Sequence, residues 1–151
     1  MNDDSKTPGK SPRIMMMIMV TVLLVQFFFG MYDNLYINMP FNSSLTVPGL
    51  LKAIERMISM GMTPPLMIHM LLGLVILLLG IITAVTVAKS GWIGAGVLAG
   101  FAAVFIAVAG LGGLAFVLVG QRNDESYVMA ASWAVALTLY FAALMSTSPR
   151  R

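Results

Sequence analysis

Apolar residues run along this chain in four long blocks, separated by short polar breaks and one longer loop. The first, 14–38, opens at Ile14-Met15-Met16-Met17 and carries only Thr21 and Gln26 as polar interruptions before Tyr32. As an α-helix, 14–32 rises about 28 Å, close to the hydrocarbon thickness of a bilayer. No small-residue cleavage site follows it, so it reads as an uncleaved span. The other blocks are 66–88, 92–119 and 126–146. Pro64-Pro65 opens the second and Lys89 closes it; Ser126 is a candidate N-cap for the fourth. The third is longer than the hydrocarbon layer, which predicts tilt or an extension beyond it. The pattern predicts an all-α fold, a four-helix antiparallel transmembrane bundle. Tails at 1–13 and 147–151 flank it.

One shorter stretch has a different period. Over 48–60, Leu50, Leu51, Ile54, Met57 and Ile58 share a face, with Lys52, Glu55, Arg56 and Ser59 opposite. This is an amphipathic helix, with Thr46 as cap and Pro48 in its first turn. Such a helix lies on a membrane surface or over the end of a bundle. In the same loop, Asn42-Ser43-Ser44 fits the N-glycosylation triplet.

Composition strengthens the membrane reading. The chain is 59% hydrophobic and 10% charged, too few charges to coat a globular surface, so lipid must cover it. It has no cysteine, which excludes disulfides and thiolate chemistry. Its net charge of +3 is spread along the chain, with no basic, aromatic-laced patch, so nucleic acid is not an expected partner. Lys6, Lys10, Arg13, Lys89, Arg150 and Arg151 fall on one side of the bundle; Lys52, Arg56 and Arg122 fall on the other. The richer side is expected to be cytoplasmic. Both termini of a multi-pass plasma-membrane protein then lie inside, and the amphipathic helix lies outside.

The third span carries the small residues Gly96, Gly100, Ala103, Ala107 and Gly110. In lipid such positions let helix backbones approach closely, either within one bundle or across a homo-oligomer or larger membrane complex.

Candidate chemistry gathers around His69, the sole histidine. It falls in the first turn of the second span. Asp33 and Asn34 fall at a similar depth at the end of the first. Gln26, Gly30 and Asp33 share a stripe, so a His69–Asp33 contact that fixes the ring tautomer is geometrically open. Alternatively, both groups simply sit solvated at the membrane edge. Three functional classes are weighed on this residue. A b-type haem needs a second axial ligand, and with one histidine that ligand is Met31 or Met129, or comes from a second copy. A copper site draws on Met60, Met62, Met67 and Met70 beside His69, since thioether and imidazole suit Cu(I). Methionine is plentiful throughout, however, and also serves as flexible apolar filler. A small-solute transporter or channel, acting as an oligomer, is the third class. The middles of the spans hold no formal charge, which counts against proton coupling. Nucleophile-elbow, phosphate-loop and HExxH motifs are absent from the sequence.

Several segments carry a resemblance. They are Phe28-Phe29-Gly30-Met31 with Asn34-Leu35-Tyr36, His69-Met70-Leu71-Leu72-Gly73, Gly112-Gly113-Leu114-Ala115-Phe116 through Gly120, and Ser126-Tyr127-Val128-Met129-Ala130. Together they resemble a family of small prokaryotic four-span integral membrane proteins. The resemblance implies a bacterial or archaeal bundle with a large first outer loop, and carries no functional residue over. There is a looser likeness to haem-bearing four-helix units of the cytochrome b561 type, which a lone histidine does not complete. The leading expectation is a non-enzymatic accessory or interaction component; the alternative is a cofactor-binding membrane protein using His69.

Overall fold

Five helices account for nearly all of the described chain: α1 (Lys10–Tyr36), α2 (Val47–Ser59), α3 (Pro64–Lys89), α4 (Ile93–Leu118) and α5 (Asn123–Ser146). They come from a computed structural model that describes residues 10–37, 46–59, 64–118 and 122–147. The expectations placed on Asn42, Met60, Met62 and the outer parts of both tails lie outside the described residues. Among the described residues there is no strand. Four helices, all but α2, are long and apolar enough to cross a membrane.

Helix boundaries follow local chemistry. α1 starts before 14 because Pro12 sits in its first turn, where a missing N–H costs nothing. α2 is capped as its sequence suggests: the Gly49 N–H donates to Thr46 Oγ1 at 3.2 Å. α3 ends at a tight turn in which Gly91 has a φ of 86°, a backbone conformation open to glycine without strain. α5 begins at Asn123, not at Ser126; Ser126 lies within the first turn, its N–H donating to the Arg122 carbonyl at 3.3 Å. Asp124 and Glu125 there complement the helix dipole. Arg122 stands 3.0 Å from the Asp124 carboxylate and 3.8 Å from that of Glu125.

The four long helices form a closed ring: α1 packs on α3, α3 on α4, α4 on α5, and α5 back on α1. Short turns make successive helices antiparallel, and the contacts along α1 and α3 run in opposite senses. Gly30 lies against His69, and Gly80 against Met19. α2 packs beside α4. The bundle thus has an N-terminal end, near Lys10, Lys89 and Thr147, and a far end, near Tyr36, Pro64, Leu118 and Asn123.

The largest fully buried side chains are Tyr140, Met16, Met19, Leu23, Ile76, Val87 and Thr83. They fill the middle and the N-terminal half. α4 contributes small residues to this core, with Ala95, Ala99 and Ala102 fully or almost fully buried. Of the five small positions expected to pack, Gly96 does so most tightly. A Cβ there would stand 2.8 Å from the Ala88 Cα, so the α3–α4 contact requires glycine. Ala103 is buried and Ala107 half-buried. Gly100 and Gly110 meet nothing within 4 Å. The buried row is therefore rotated from the one the glycines suggested, because alanines on the adjacent face give the same close approach.

Candidate functional site

α1 and α3 bring one polar layer together in the far half of the bundle. On α1, Gln26, Gly30 and Asp33 recur at i, i+4 and i+7 and so share a face. On α3, Leu66, His69, Gly73 and Ile76 form the inward row, with Leu66 and Ile76 buried. The two rows meet. The imidazole of His69 lies directly over Gly30, where a Cβ would be 2.9 Å from Cε1. Any larger residue at position 30 would push the ring away.

Gln26 holds this histidine at two points. Its Nε2 donates to the His69 carbonyl oxygen at 3.0 Å and stands 3.4 Å from the ring Nε2. Gly73, four residues on, leaves that carbonyl uncovered; a Cβ there would lie 3.2 Å from the Gln26 nitrogen. The geometry settles one atom assignment. An acceptor 3.0 Å away requires the nitrogen, not the oxygen, of the amide at that position. That nitrogen only donates, and the ring Nε2 facing it accepts when the imidazole proton is on Nδ1.

Four atoms of this layer remain buried without a hydrogen-bond partner: Gln26 Oε1, His69 Nδ1, and both carboxylate oxygens of Asp33. Asp33 is 5% exposed, whereas its neighbours Met31, Tyr32 and Asn34 all face outward. The remaining such atom among the described residues, Glu125 Oε2, also lies in the far half. An unpaired buried polar group costs about 1–3 kcal/mol.

The His69–Asp33 contact that the sequence left open is not made: neither His69 Nδ1 nor either Asp33 carboxylate oxygen has a hydrogen-bond partner. Gln26 is the group that meets the ring, and Asp33 sits about two turns further along α1. The reason is reach: a glutamine amide spans the gap to α3 at the level of the ring, whereas a shorter carboxylate further along does not. Of the two glycines that make room, Gly30 was already on the α1 stripe and Gly73 was the missed partner. Its signal was readable as a glycine one turn from His69 on α3.

The other candidates are dispersed. Met31 is exposed on the outside of α1. Met129 is on α5, where its Sδ lies 3.2 Å from a Cβ position at Gly113 and its backbone faces Gly112. Neither methionine is positioned on the face His69 occupies. Met67 and Met70 project outward from α3, away from the inward row. Asn34 is exposed. Among the described residues no group of three or more His, Asp or Glu side chains gathers as a metal site.

Comparison with family models, curated proteins and solved structures returns no match. The four apolar helices agree with a four-span membrane protein; a particular family and a prokaryotic source are not shown.

Proposed function

We propose that this chain is a non-catalytic component of the plasma membrane that binds a ligand through the Gln26–Asp33–His69 layer at its outer end. The observation that carries this reading is where the unpaired polar atoms lie. The N-terminal half has none among the described residues; the far half has the four of this layer, besides Glu125 Oε2, which stands 3.8 Å from Arg122. A bundle selected only for stability would fill such positions with apolar side chains. The layer also offers no nucleophile beside a base, which favours binding over catalysis.

The orientation rests on charge and aromatic placement. Lys10, Arg13 and Lys89 mark the N-terminal end as cytoplasmic by the bias of basic residues. Tyr32 and Tyr36, exposed and with ring centroids 5.0 Å apart, together with exposed Tyr127, suit the outer interface. α2 then lies on the outer membrane surface, with Lys52, Glu55, Arg56 and Ser59 in water. Association in the bilayer, as a homo-oligomer or in a larger complex, is supported by Gly100 and Gly110, which have no neighbour within the chain.

The test of the binding layer is Asp33→Leu. If the carboxylate serves a ligand, removing it relieves an unpaired buried group and raises stability by about 1–3 kcal/mol, read as thermal unfolding in nanodiscs. A lower unfolding midpoint makes Asp33 part of the scaffold and sinks the reading. Orientation is tested on the cysteine-free chain. A cysteine introduced at position 45 reacts with an impermeant maleimide from outside and one at position 7 does not; the reverse pattern overturns it.

A further inference from the structure

We propose that α2 is an interfacial anchor whose partner is the lipid surface itself: the edge formed by Val47 and Leu51 is sunk among acyl chains beside α4, and the edge formed by Lys52 and Arg56 is turned to water. This goes beyond siting α2 at the membrane surface, because it fixes the rotation of the helix and names what covers its apolar edge. It holds for either leaflet and is independent of the Gln26–Asp33–His69 layer. Val47 and Leu51 are one turn apart on α2 and are 72% and 62% exposed. Packing on α4 therefore leaves part of the apolar side uncovered. Lys52, Glu55, Arg56 and Ser59 are exposed as well. At about 100° per residue, the Val47–Leu51 edge and the Lys52–Arg56 edge are about 140° apart around the helix axis. One edge can thus lie in hydrocarbon while the other stays in water, as in a helix that lies in the plane of the interface. Val47 and Leu51 carry no polar group, so nothing on their edge selects a charged partner.

The surroundings of α2 favour lipid over any other occupant. α2 packs on α4, whose other partners are α3 and α5. Along α4, Val97, Phe101, Val104, Val108 and Leu111 form an exposed row. α4 is long and apolar enough to cross a membrane, so this row faces acyl chains. Leu118 falls on the same face two turns beyond Leu111 and is buried. The row is therefore open along most of its length and covered at its far end. Among the described residues, α2 is the further helix packed on α4. The link from Ser59 to Pro64 spans at most about 18 Å, which keeps α2 near the start of α3. α2 thus sits where the lipid-facing row of α4 ends, and its Val47–Leu51 edge continues a surface that lipid covers. Exposed Tyr32, Tyr36 and Tyr127 mark the same end of the bundle as an interface.

The experiment measures the depth of each edge. The chain has no cysteine of its own, so Val47→Cys, Leu51→Cys, Lys52→Cys and Arg56→Cys, made one at a time, each carry a single spin label. All four positions are exposed, so a label there leaves the bundle intact. The full chain is reconstituted in phosphatidylcholine vesicles. Collisions of each label with oxygen, which concentrates in lipid, are compared with collisions with a neutral nickel chelate, which stays in water. The expected result is oxygen in excess at 47 and 51 and nickel in excess at 52 and 56. The preference thus changes sign between the neighbouring positions 51 and 52. Nickel in excess at 47 and 51 puts that edge in water and overturns the proposal. Exclusion of both probes from 47 and 51 overturns it too, since protein is then the cover. Spin–spin broadening between chains would identify that cover as a second copy, and its absence as another segment of this chain. Depth is read without reference to sidedness, so this test and the maleimide test of orientation can each fail alone.

Discussion

The two halves of this bundle solve the same packing problem in opposite ways. In the N-terminal half, polar groups are few and are absorbed locally. Ser90 Oγ donates to the Val87 carbonyl at 2.7 Å, and Ser146 Oγ to that of Ala143 at 2.7 Å. Tyr140, fully buried, directs its hydroxyl toward the Gly80 carbonyl at 3.5 Å. Trp133, at mid-bundle, donates Nε1–H to the Leu23 carbonyl at 2.9 Å and stacks on Phe27 with centroids 4.6 Å apart. In the far half, Gln26 and His69 satisfy each other only in part, and Asp33 is satisfied by nothing. Lipid cannot hydrogen-bond, so an unpaired group there is more costly to keep than in a water-washed loop. The difference teaches that polar groups are satisfied at one end and retained unsatisfied, at a cost, at the other.

The strongest way to break this comparison is at Tyr140. Tyr140→Ala should cost on the order of 3 kcal/mol or more, as for other large buried aromatics cut to alanine. A small loss, measured by unfolding in detergent or nanodiscs, would mean the N-terminal half is not the main source of stability. Asp33→Leu should have the next largest effect and the opposite sign, a gain. Gly30→Ala is a subtler probe. The methyl group meets the edge of a side chain, not backbone, so His69 swings aside and the Gln26 contact is lost. The expected cost is about 1 kcal/mol, the net value of one hydrogen bond. A cost as large as that of Tyr140→Ala would show the far half to be equally rigid. The smallest intramolecular effect is expected of Gly100→Ile. Nothing lies within 4 Å of a Cβ there, so the unfolding midpoint of the monomer should move by less than about 0.5 kcal/mol. If the substitution instead disrupts an oligomer seen by cross-linking, Gly100 belongs to an interface between chains.

The four spans were readable in the chain because lipid imposes a one-dimensional rule: a helix that crosses it must be apolar for about twenty residues. The same rule located α2, since an amphipathic period differs from an all-apolar one. The cap at Thr46 follows from a local hydrogen bond three residues long. The start of α5 was less legible, because Asn123, Asp124 and Glu125 have the composition of a turn and are helical only in the company of α4 and Arg122.

The site was half legible. Its members Gln26, Gly30, Asp33 and His69 were picked out by type and depth, which the sequence alone determines once the spans are placed. Which of them touch was decided by tertiary structure. The rotation of each helix about its axis is set by how side chains of different length interlock across the ring. An all-apolar span carries no periodic signal to reveal that rotation. Hence Gln26, not Asp33, holds the imidazole, and alanines, not Gly100 and Gly110, line the core side of α4. The length and hydrophobicity of the segments determined that this chain forms four helices long and apolar enough to cross a membrane. Only the packing of one helix on another decided that Gln26 meets His69 and that the Asp33 carboxylate is left without a hydrogen-bond partner.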